Sequence, residues 1–122
     1  MGQRRDPVGA AVKRVVDPGA LRLFRLRMRE CALCGETGRL SVHHVLPRSQ
    51  GGDDLRENLV CLCGDGVTGC HGDVEHYRNG ARRALGLHIL SERRDTVGYL
   101  EEKLGSLDRA VYWIESRLCN AA

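Results

Sequence analysis

Aromatic residues are scarce in this 122-residue chain, which has one Trp, one Phe and three Tyr. A core built with so few large rings must be mainly aliphatic, and in a single small domain it is also thin. Domains of this size often gain stability from a bound metal, because metal binding contributes directly to the folding free energy. The sequence therefore predicts one small domain that depends on more than its hydrophobic core.

Long hydrophobic runs are also absent. No apolar stretch approaches the roughly 20 residues needed to span a bilayer, and the charged N-terminus lacks the apolar segment of a secretory signal. We therefore expect a protein without a membrane partner that stays in a reducing cytoplasm. In that compartment, six cysteines indicate metal or redox chemistry rather than three disulfides.

Charge is unevenly distributed along the chain. Residues 1–30 hold eight Lys/Arg and three acids, a net charge of +5, whereas residues 31–122 carry −2. A basic arm on a near-neutral body suits a polyanion partner such as nucleic acid. Arginine-rich helices also occur simply because they are soluble, so charge alone leaves both interpretations open.

Turn residues and apolar periodicity predict an order of strand, loop, strand and helix in the middle of the chain. Asp17-Pro18 is a helix-start signal, with Asp as the N-cap and Pro at the first helical position. The expected elements are a basic arm at 1–16, a helix from 17 to about 30, strands at 39–44 and 58–62, a loop through Pro47 and Gly51-Gly52, and a helix from about 71 to 84.

The C-terminal part carries less chemistry. Residues 86–90 are compatible with a short strand or a turn. Asp95 or Thr96 can cap a helix through Leu104, and Ser106 can cap another through Leu118. Apolar residues recur there at intervals of three and four, so one helix face must pack against the rest of the domain.

The cysteine pairs indicate a closed zinc site. Cys31 and Cys34 precede a turn rather than the helix that a thioredoxin-like redox pair would open. Four-thiolate zinc needs a second pair, which must come from Cys61, Cys63 and Cys70. We prefer Cys63 with Cys70, because Cys61 occupies an apolar slot of the strand. Cys61 points the same way as Cys63, however, and is an alternative ligand.

Histidines supply the second signal. His43 and His44 are adjacent, and His71 opens the predicted helix. Neighbouring residues of a regular strand point to opposite faces, so joint action requires a bent backbone, which Pro47 and the following glycines can supply. A metal needs a neutral imidazole, and a general base needs a pKa near the working pH. Asn58 suits orientation by hydrogen bonding, or is simply a turn residue.

Taken in order, these motifs resemble the HNH endonuclease family. The resemblance covers residues 31–82 and includes Cys-x-x-Cys, His-His with Pro three residues on, Arg-Ser-x-Gly-Gly, Asn-Leu-Val and Cys-His. It is closest to the zinc-stapled enzymes that are common in phage genomes. It implies an α+β fold, in which a small ββα-metal core with a four-cysteine zinc site is flanked by N- and C-terminal helices.

The resemblance also implies residue roles. His44 would be the general base that activates water, and Asn58 would position that base or assist the metal site. His43 and His71 would bind a catalytic divalent ion, Mg²⁺ or Mn²⁺. The structural Zn²⁺ would be held by Cys31, Cys34, Cys63 and Cys70. The implied substrate is double-stranded DNA, and the implied setting is the host cytoplasm of a phage.

Two features depart from the family pattern. Relatives often space the second cysteine pair as Cys-x-x-Cys-His, whereas here a Gly-rich insertion separates Cys63 from Cys70. Some relatives carry another ligand four residues after the last histidine. That position is Glu75 here, and helical geometry favours it over His76, which is about 140° from His71 around the helix.

Three arginines are candidate phosphate contacts, although each is also compatible with a solvated surface: Arg48, Arg78 and Arg82. The expected organisation is a flexible basic arm at 1–16, a nuclease core with a zinc knuckle at 17–85 and a helical extension at 86–122. The alternative function is a non-catalytic zinc module that binds nucleic acid, which would need the cysteines but not the histidines. A thiol–disulfide enzyme would instead require a low-pKa cysteine and no zinc.

Overall fold

A computed structural model of the protein describes residues 14–120. It contains one two-stranded antiparallel sheet surrounded by helices. In chain order the elements are α1 (Pro18–Arg27), β1 (Leu40–His44), β2 (Leu59–Cys63), α2 (Gly69–Glu75), α3 (Ala81–Glu92), α4 (Arg94–Leu104), α5 (Leu107–Ile114) and a π-helical turn (Glu115–Cys119). The predicted α+β class is confirmed, with helices on both sides of a ββα unit.

Helix α1 begins where the sequence predicts. The Asp17 carboxylate accepts a hydrogen bond from the Ala20 N–H at 3.0 Å, and Pro18 occupies the first turn, where it has no donor to lose. The helix ends at Arg27 rather than near Glu30. The chain then turns into the Cys31–Cys34 segment, so the three residues after Arg27 connect α1 to the cysteine knuckle.

The two strands meet at a register that fixes the site. His43 pairs with Val60, and His44 pairs with Leu59. The long connection between the strands contains two short 3₁₀ turns, Arg48–Gln50 and Arg56–Asn58. It passes so close to the end of β1 that a Cβ on Gly52 would lie 1.7 Å from the Leu46 carbonyl oxygen. Only glycine fits that approach.

One predicted helix was wrong in its extent. The expected helix from 71 to 84 is divided into α2 and α3, because Tyr77, Asn79 and Gly80 all adopt positive φ angles near +56° to +68°. Asn-Gly is a turn signal that the periodicity had masked. Residues 86–90, expected as a strand or turn, lie inside α3. Within the segment Gly86 and Ile89 are buried, three residues apart as helical spacing requires, whereas Leu87 and Leu90 are exposed.

The core is aliphatic, as the shortage of aromatic residues predicts. Its fully buried large side chains come from the sheet and the loop after β1, from α3 and from the C-terminal helices: Leu46, Leu59, Leu62, Leu85, Ile89, Leu100 and Ile114. The C-terminal helices therefore belong to the same core as the sheet. Within the described residues, no helix has the length and apolarity required to cross a membrane.

Candidate functional site

Four cysteines converge from three parts of the chain. The Sγ atoms of Cys31, Cys34, Cys63 and Cys70 all lie within 4.8 Å of one another. The sulfurs of Cys34 and Cys63 lie 3.6 Å apart. Tetrahedral zinc with bonds of about 2.3 Å places its sulfurs roughly 3.8 Å apart. The arrangement therefore fits a closed four-thiolate site, and all six cysteines are free of disulfides.

Backbone hydrogen bonds prepare these sulfurs for a metal. The Leu33 N–H points at the Cys31 sulfur at 3.4 Å, and the Cys70 N–H points at the Cys63 sulfur at 3.3 Å. Burial raises the pKa of the Cys31 thiol, but backbone hydrogen bonds outweigh it and lower that pKa to about 7. A thiolate is the form that binds metal.

The Gly-rich insertion between Cys63 and Cys70 folds so that these two cysteines lie close together. The Asp65 carboxylate accepts hydrogen bonds from the N–H groups of Val67 and Thr68, both at 2.8 Å, which folds the loop back on itself. These bonds lower the pKa of Asp65 to about 2. Of the two strand cysteines weighed in the sequence, Cys63 lies in the four-sulfur cluster and Cys61 lies outside it.

A second cluster forms where β1 meets α2. His43 Nδ1 lies 3.2 Å from Glu75 Oε2, and His71 Nε2 lies 3.7 Å from the same oxygen. His71 and Glu75 are four residues apart, so they lie on one face of α2. That face is directed at His43, which belongs to β1 of the sheet. The three ligand atoms lie within 4.8 Å of one another. Two imidazoles and a carboxylate are a donor set that fits a divalent metal ion.

Ser41 orients the second histidine, a contact that sequence analysis did not identify. Its hydroxyl lies 2.6 Å from His71 Nδ1 and can itself donate to the Leu62 carbonyl at 3.3 Å. With its own proton used in that way, the hydroxyl accepts from Nδ1–H, which leaves Nε2 free as a metal ligand. Burial is the main cause that lowers the pKa of His71, and the nearby His43 adds to it. The neutral imidazole is therefore favoured.

His76 does not join this cluster. It is exposed, and its Nε2 lies 3.0 Å from the Gly66 carbonyl oxygen, on another side of α2. Glu75 takes the position that helical geometry favours. A hydrogen bond from His43 is the main cause that lowers the pKa of Glu75, so its carboxylate is charged at neutral pH.

His44 points to the other face of β1, as strand alternation predicts. Its Nε2 lies 2.9 Å from Asp54 Oδ1 and 3.5 Å from Arg48 Nε. Burial is the main cause that lowers the pKa of His44, and Arg48 adds to the decrease, although Asp54 acts in the opposite direction. His43 and His44 nevertheless line the same cleft of about 530 Å³, because His44 ends the strand.

Asn58 holds the loop between the strands in place by hydrogen bonds and is not exposed to a substrate. It is fully buried. Its Oδ1 accepts from the Leu46 N–H at 2.8 Å, and its Nδ2 donates to the carbonyls of Leu46 and Asp53 at 3.0 and 3.1 Å. These bonds tie the end of β1 to the loop that carries Asp54. Asn58 therefore fixes the surroundings of His44 without touching it.

The three candidate arginines differ in their availability. Arg48 lies beside His44 in the cleft, with 55% of its side chain exposed. Arg78 is paired with Asp73 at 3.1 Å and does not line the cleft. Arg82 lines the cleft, but it donates to the Val74 carbonyl at 2.8 Å and stacks 3.9 Å above the Tyr77 ring. Arg48 is the best placed of the three to meet a ligand.

A comparison with known protein families finds one match. Residues 31–76 match the family model described as HNH endonuclease. This segment contains both the four-cysteine cluster and the His43–His71–Glu75 cluster. No curated protein and no solved structure matches the chain.

Proposed function

Because residues 31–76 match the HNH endonuclease family model, we propose that the protein is a divalent-metal-dependent nuclease that hydrolyses phosphodiester bonds in double-stranded DNA. HNH domains are associated with nuclease activity in general. The observation that supports the more specific proposal is one cleft that brings His44 beside the His43–His71–Glu75 cluster. A module that only bound nucleic acid would have no use for that arrangement.

His44 is the proposed general base. Its pKa is lowered by burial, so the imidazole is neutral at physiological pH and has a lone pair for the proton of water. As the water O–H bond breaks, its oxygen forms a bond to phosphorus and the bond from phosphorus to the 3′-oxygen breaks. Arg48 lies beside His44 with about half of its side chain exposed, and it is the proposed contact for a neighbouring phosphate.

His43, His71 and Glu75 are the proposed metal ligands. When bound there, a divalent ion would supply positive charge for the scissile phosphate and the leaving oxygen. Imidazole ligands suit transition ions, whereas Mg²⁺ prefers oxygen alone. We therefore expect Mn²⁺ to support cleavage at lower concentrations than Mg²⁺.

The four cysteines are the proposed ligands of a structural Zn²⁺. Such an ion would tie the knuckle after α1 to the end of β2 and the start of α2. Metal analysis of the purified protein should give about one zinc per chain, held by thiolates. A protein without zinc whose thiols titrate normally would contradict this assignment.

Cleavage of a supercoiled plasmid tests the function. The wild-type protein should cut in Mn²⁺ or Mg²⁺ and stop in EDTA. His44→Ala should lower the rate by roughly 10²–10⁴-fold, the usual contribution of a general base, and added metal should not restore it. His43→Ala should also lose activity, but excess Mn²⁺ should partly restore it, because the defect lies in metal affinity.

Two results would contradict the proposal. If His44→Ala cleaved DNA at near the wild-type rate, or if added metal restored its cleavage, His44 would not be the base, and the roles proposed for His43 and His44 would have to be exchanged. DNA binding without cleavage by the wild-type protein in any divalent metal would instead favour the non-catalytic binding module.

A further inference from the structure

Asp54 is a buried acid that contacts the proposed base. Only 2% of its surface is exposed, and its Oδ1 lies 2.9 Å from His44 Nε2. The residue belongs to the loop between the strands, which Asn58 ties to the end of β1 through the Asp53 carbonyl. Asp54 and His44 are therefore held together by backbone geometry on both sides.

The other contacts of Asp54 keep it ionised. Oδ1 is also paired with the Arg14 guanidinium and lies 3.9 Å from Arg48 Nε, while Oδ2 accepts from the Asp17 N–H at 3.1 Å. Burial acts to raise the pKa of Asp54, but the hydrogen bonds from His44 and Asp17 and the charge of Arg14 outweigh it and lower that pKa. Each described partner of this carboxylate is thus a donor.

The geometry fixes which nitrogen of His44 carries the proton. An ionised carboxylate only accepts hydrogen bonds, so a contact of 2.9 Å requires a proton on Nε2. Arg48 Nε is also a donor, but it lies farther away, at 3.5 Å, and does not compete well for the same nitrogen. With its single proton on Nε2, a neutral His44 has its lone pair on Nδ1.

We infer that Asp54 is a positioning residue for His44, which holds the imidazole in the tautomer whose Nδ1 accepts the proton of the attacking water. This inference rests on the proposed function of His44 as the base. After the proton has moved from water to Nδ1, the imidazolium stays beside the Asp54 carboxylate, which stabilises its charge. The same division of labour between an acid and a histidine operates in catalytic triads.

Asp54 also has a structural role, which the test must distinguish from its proposed effect on His44. Together with Asp53, it attaches the segment before α1: Asp53 Oδ1 accepts from the Val15 N–H at 2.5 Å, and Asp54 Oδ2 accepts from the Asp17 N–H. Asp53 is equally buried but bonds to Tyr99 and Lys103 instead of His44. Asp53→Asn is therefore the matched control for Asp54→Asn, because both lose a buried charge that anchors this segment.

The amide in Asp54→Asn cannot satisfy all of these donors. If its NH₂ group faces His44 and Arg14, it donates to His44 Nε2 and moves the ring proton to Nδ1, where the base is blocked. If the NH₂ group faces the Asp17 N–H instead, two donors oppose each other. The first arrangement reverses the tautomer, and the second keeps an oxygen on His44 but replaces the carboxylate by a weaker, neutral acceptor. Asp53→Asn leaves the His44 contact unchanged.

The first measurement is two-bond ¹H–¹⁵N NMR of the histidine rings, at mildly alkaline pH, in the full-length protein with zinc and without added catalytic metal. The His44 signals are assigned from their loss in His44→Gln. The wild-type protein and Asp53→Asn should show the Nε2–H tautomer, and Asp54→Asn should show Nδ1–H or a mixture. A wild-type His44 with its proton on Nδ1 would overturn the inference without any variant.

The second measurement is steady-state cleavage of a duplex oligonucleotide. Asp54→Asn should lower kcat by roughly 10- to 10⁴-fold, between the cost of losing the partner of a metal-bound histidine and that of losing the acid of a catalytic triad. KM should change little, because the buried Asp54 cannot itself touch DNA. Asp53→Asn should keep kcat within a few-fold of wild type. Equal kcat in the two variants, or an unchanged tautomer in Asp54→Asn, would mean that Asp54 only attaches the segment before α1 and does not position His44.

These measurements distinguish the inference from the proposed function. If the wild-type protein cuts DNA and Asp54→Asn cuts equally well, only the positioning role fails. If the wild-type protein cuts no DNA in any metal, the function fails, and with it the catalytic role of the tautomer.

Discussion

At the scale of single residues, two adjacent side chains, those of Glu75 and His76, are candidates for the third ligand of the metal cluster. Glu75 and His76 are both chemically able to bind a metal, but only Glu75 shares an oxygen between His43 and His71. His76 is directed to the Gly66 carbonyl instead. Two single substitutions at these adjacent positions can therefore test which side chain belongs to the metal cluster, with one serving as the control for the other.

Replacing Glu75 by Ala should weaken Mn²⁺ binding strongly, because it removes a direct ligand. The loss should exceed the roughly 10- to 100-fold that follows from removing a group behind a ligand. His76→Ala, its control, should bind Mn²⁺ like the wild-type protein. Isothermal titration calorimetry on the zinc-loaded protein measures both, and equal affinities in the two variants would remove Glu75 from the ligand set.

The residues of the two clusters differ in how far the sequence reveals them. Cysteine and histidine are few, and spacing alone groups Cys31 with Cys34, whereas the different roles of His43 and His44 come from the family resemblance. Ser41 and Asp54 carry no such signal, because serine and aspartate are common and their partners lie 30 and 10 residues away. A pair of acids beside Gly51-Gly52 was visible in the sequence, but its burial was not.

At the scale of elements, tertiary contacts decide what local patterns leave open. Residues 86–90 contain Gly86 and alternate in a way that is compatible with a strand, yet they form the middle of α3. Gly86 packs directly against the π-helical turn, where an added Cβ would lie 2.6 Å from the Cys119 sulfur. A helix interior normally disfavours glycine. Here the close approach of two helical segments requires it.

Two glycine-to-alanine substitutions should therefore have opposite effects. Gly98 lies within α4 with nothing within 4 Å of its Cβ position, so Gly98→Ala should raise the free energy of unfolding by about 0.5–1 kcal/mol. Gly86→Ala should lower it by about 1–3 kcal/mol, because the new methyl group overpacks the contact with Cys119. Urea denaturation of the zinc-loaded proteins measures both values.

The double variant provides the control for this interpretation. If overpacking is the cause, Gly86→Ala should recover part of its lost stability when Cys119 is also replaced by the smaller alanine. A stabilising Gly86→Ala would mean that helix propensity outweighs the close contact and that α3 can move away.

At the scale of the whole molecule, the loop that carries Asp53 and Asp54 is held both by the segment before α1 and by α4. From the N-terminal side, the Asp54 N–H donates to the Val15 carbonyl at 2.9 Å, and Arg14 Nε donates to the Gly52 carbonyl at 2.6 Å. From the C-terminal side, Thr96 donates to the Glu57 carbonyl at 2.7 Å. The predicted boundary between residues 85 and 86 falls inside α3.

The predicted basic arm, residues 1–16, lies outside the described residues except for its last three. Residues 1–13 contain three basic side chains and one acid. Arg14 and Val15 instead contact the loop beside His44. A deletion test of DNA binding must therefore stop before Arg14, because a longer deletion also removes contacts of Asp53 and Asp54.

Two deletions should separate these effects. Removing residues 1–13 should weaken DNA affinity and flatten its dependence on salt, because fewer phosphates are neutralised, while the melting temperature stays nearly unchanged. Removing residues 1–16 should also lower the melting temperature and kcat. Fluorescence anisotropy across a salt series and thermal denaturation measure the two effects, and identical melting temperatures would mean that the Arg14 and Val15 contacts add no stability.

Acid should weaken the tie between the loop and α4. Burial acts to raise the pKa of Asp53, but hydrogen bonds from Tyr99 and Val15 and the ion pair with Lys103 outweigh it and lower that pKa below its usual range. A carboxylate with a lowered pKa stabilises the folded state above its unfolded pKa of about 3.9. That stabilisation is lost as the pH falls through the lower, folded-state pKa.

Asp53→Asn should therefore lower the free energy of unfolding by about 1–3 kcal/mol near neutral pH, because Lys103 and Tyr99 lose a charged partner. The difference from wild type should shrink as the pH falls below about 4, where Asp53 is protonated in the unfolded chain and then in the folded one. Protonation of the cysteine thiolates also destabilises both proteins in acid, but it cancels in the comparison because both have the same cysteines. Urea denaturation at a series of pH values measures the difference. A difference that stayed constant down to about pH 3 would mean that the charge of Asp53 contributes nothing and that only the shape of its side chain matters.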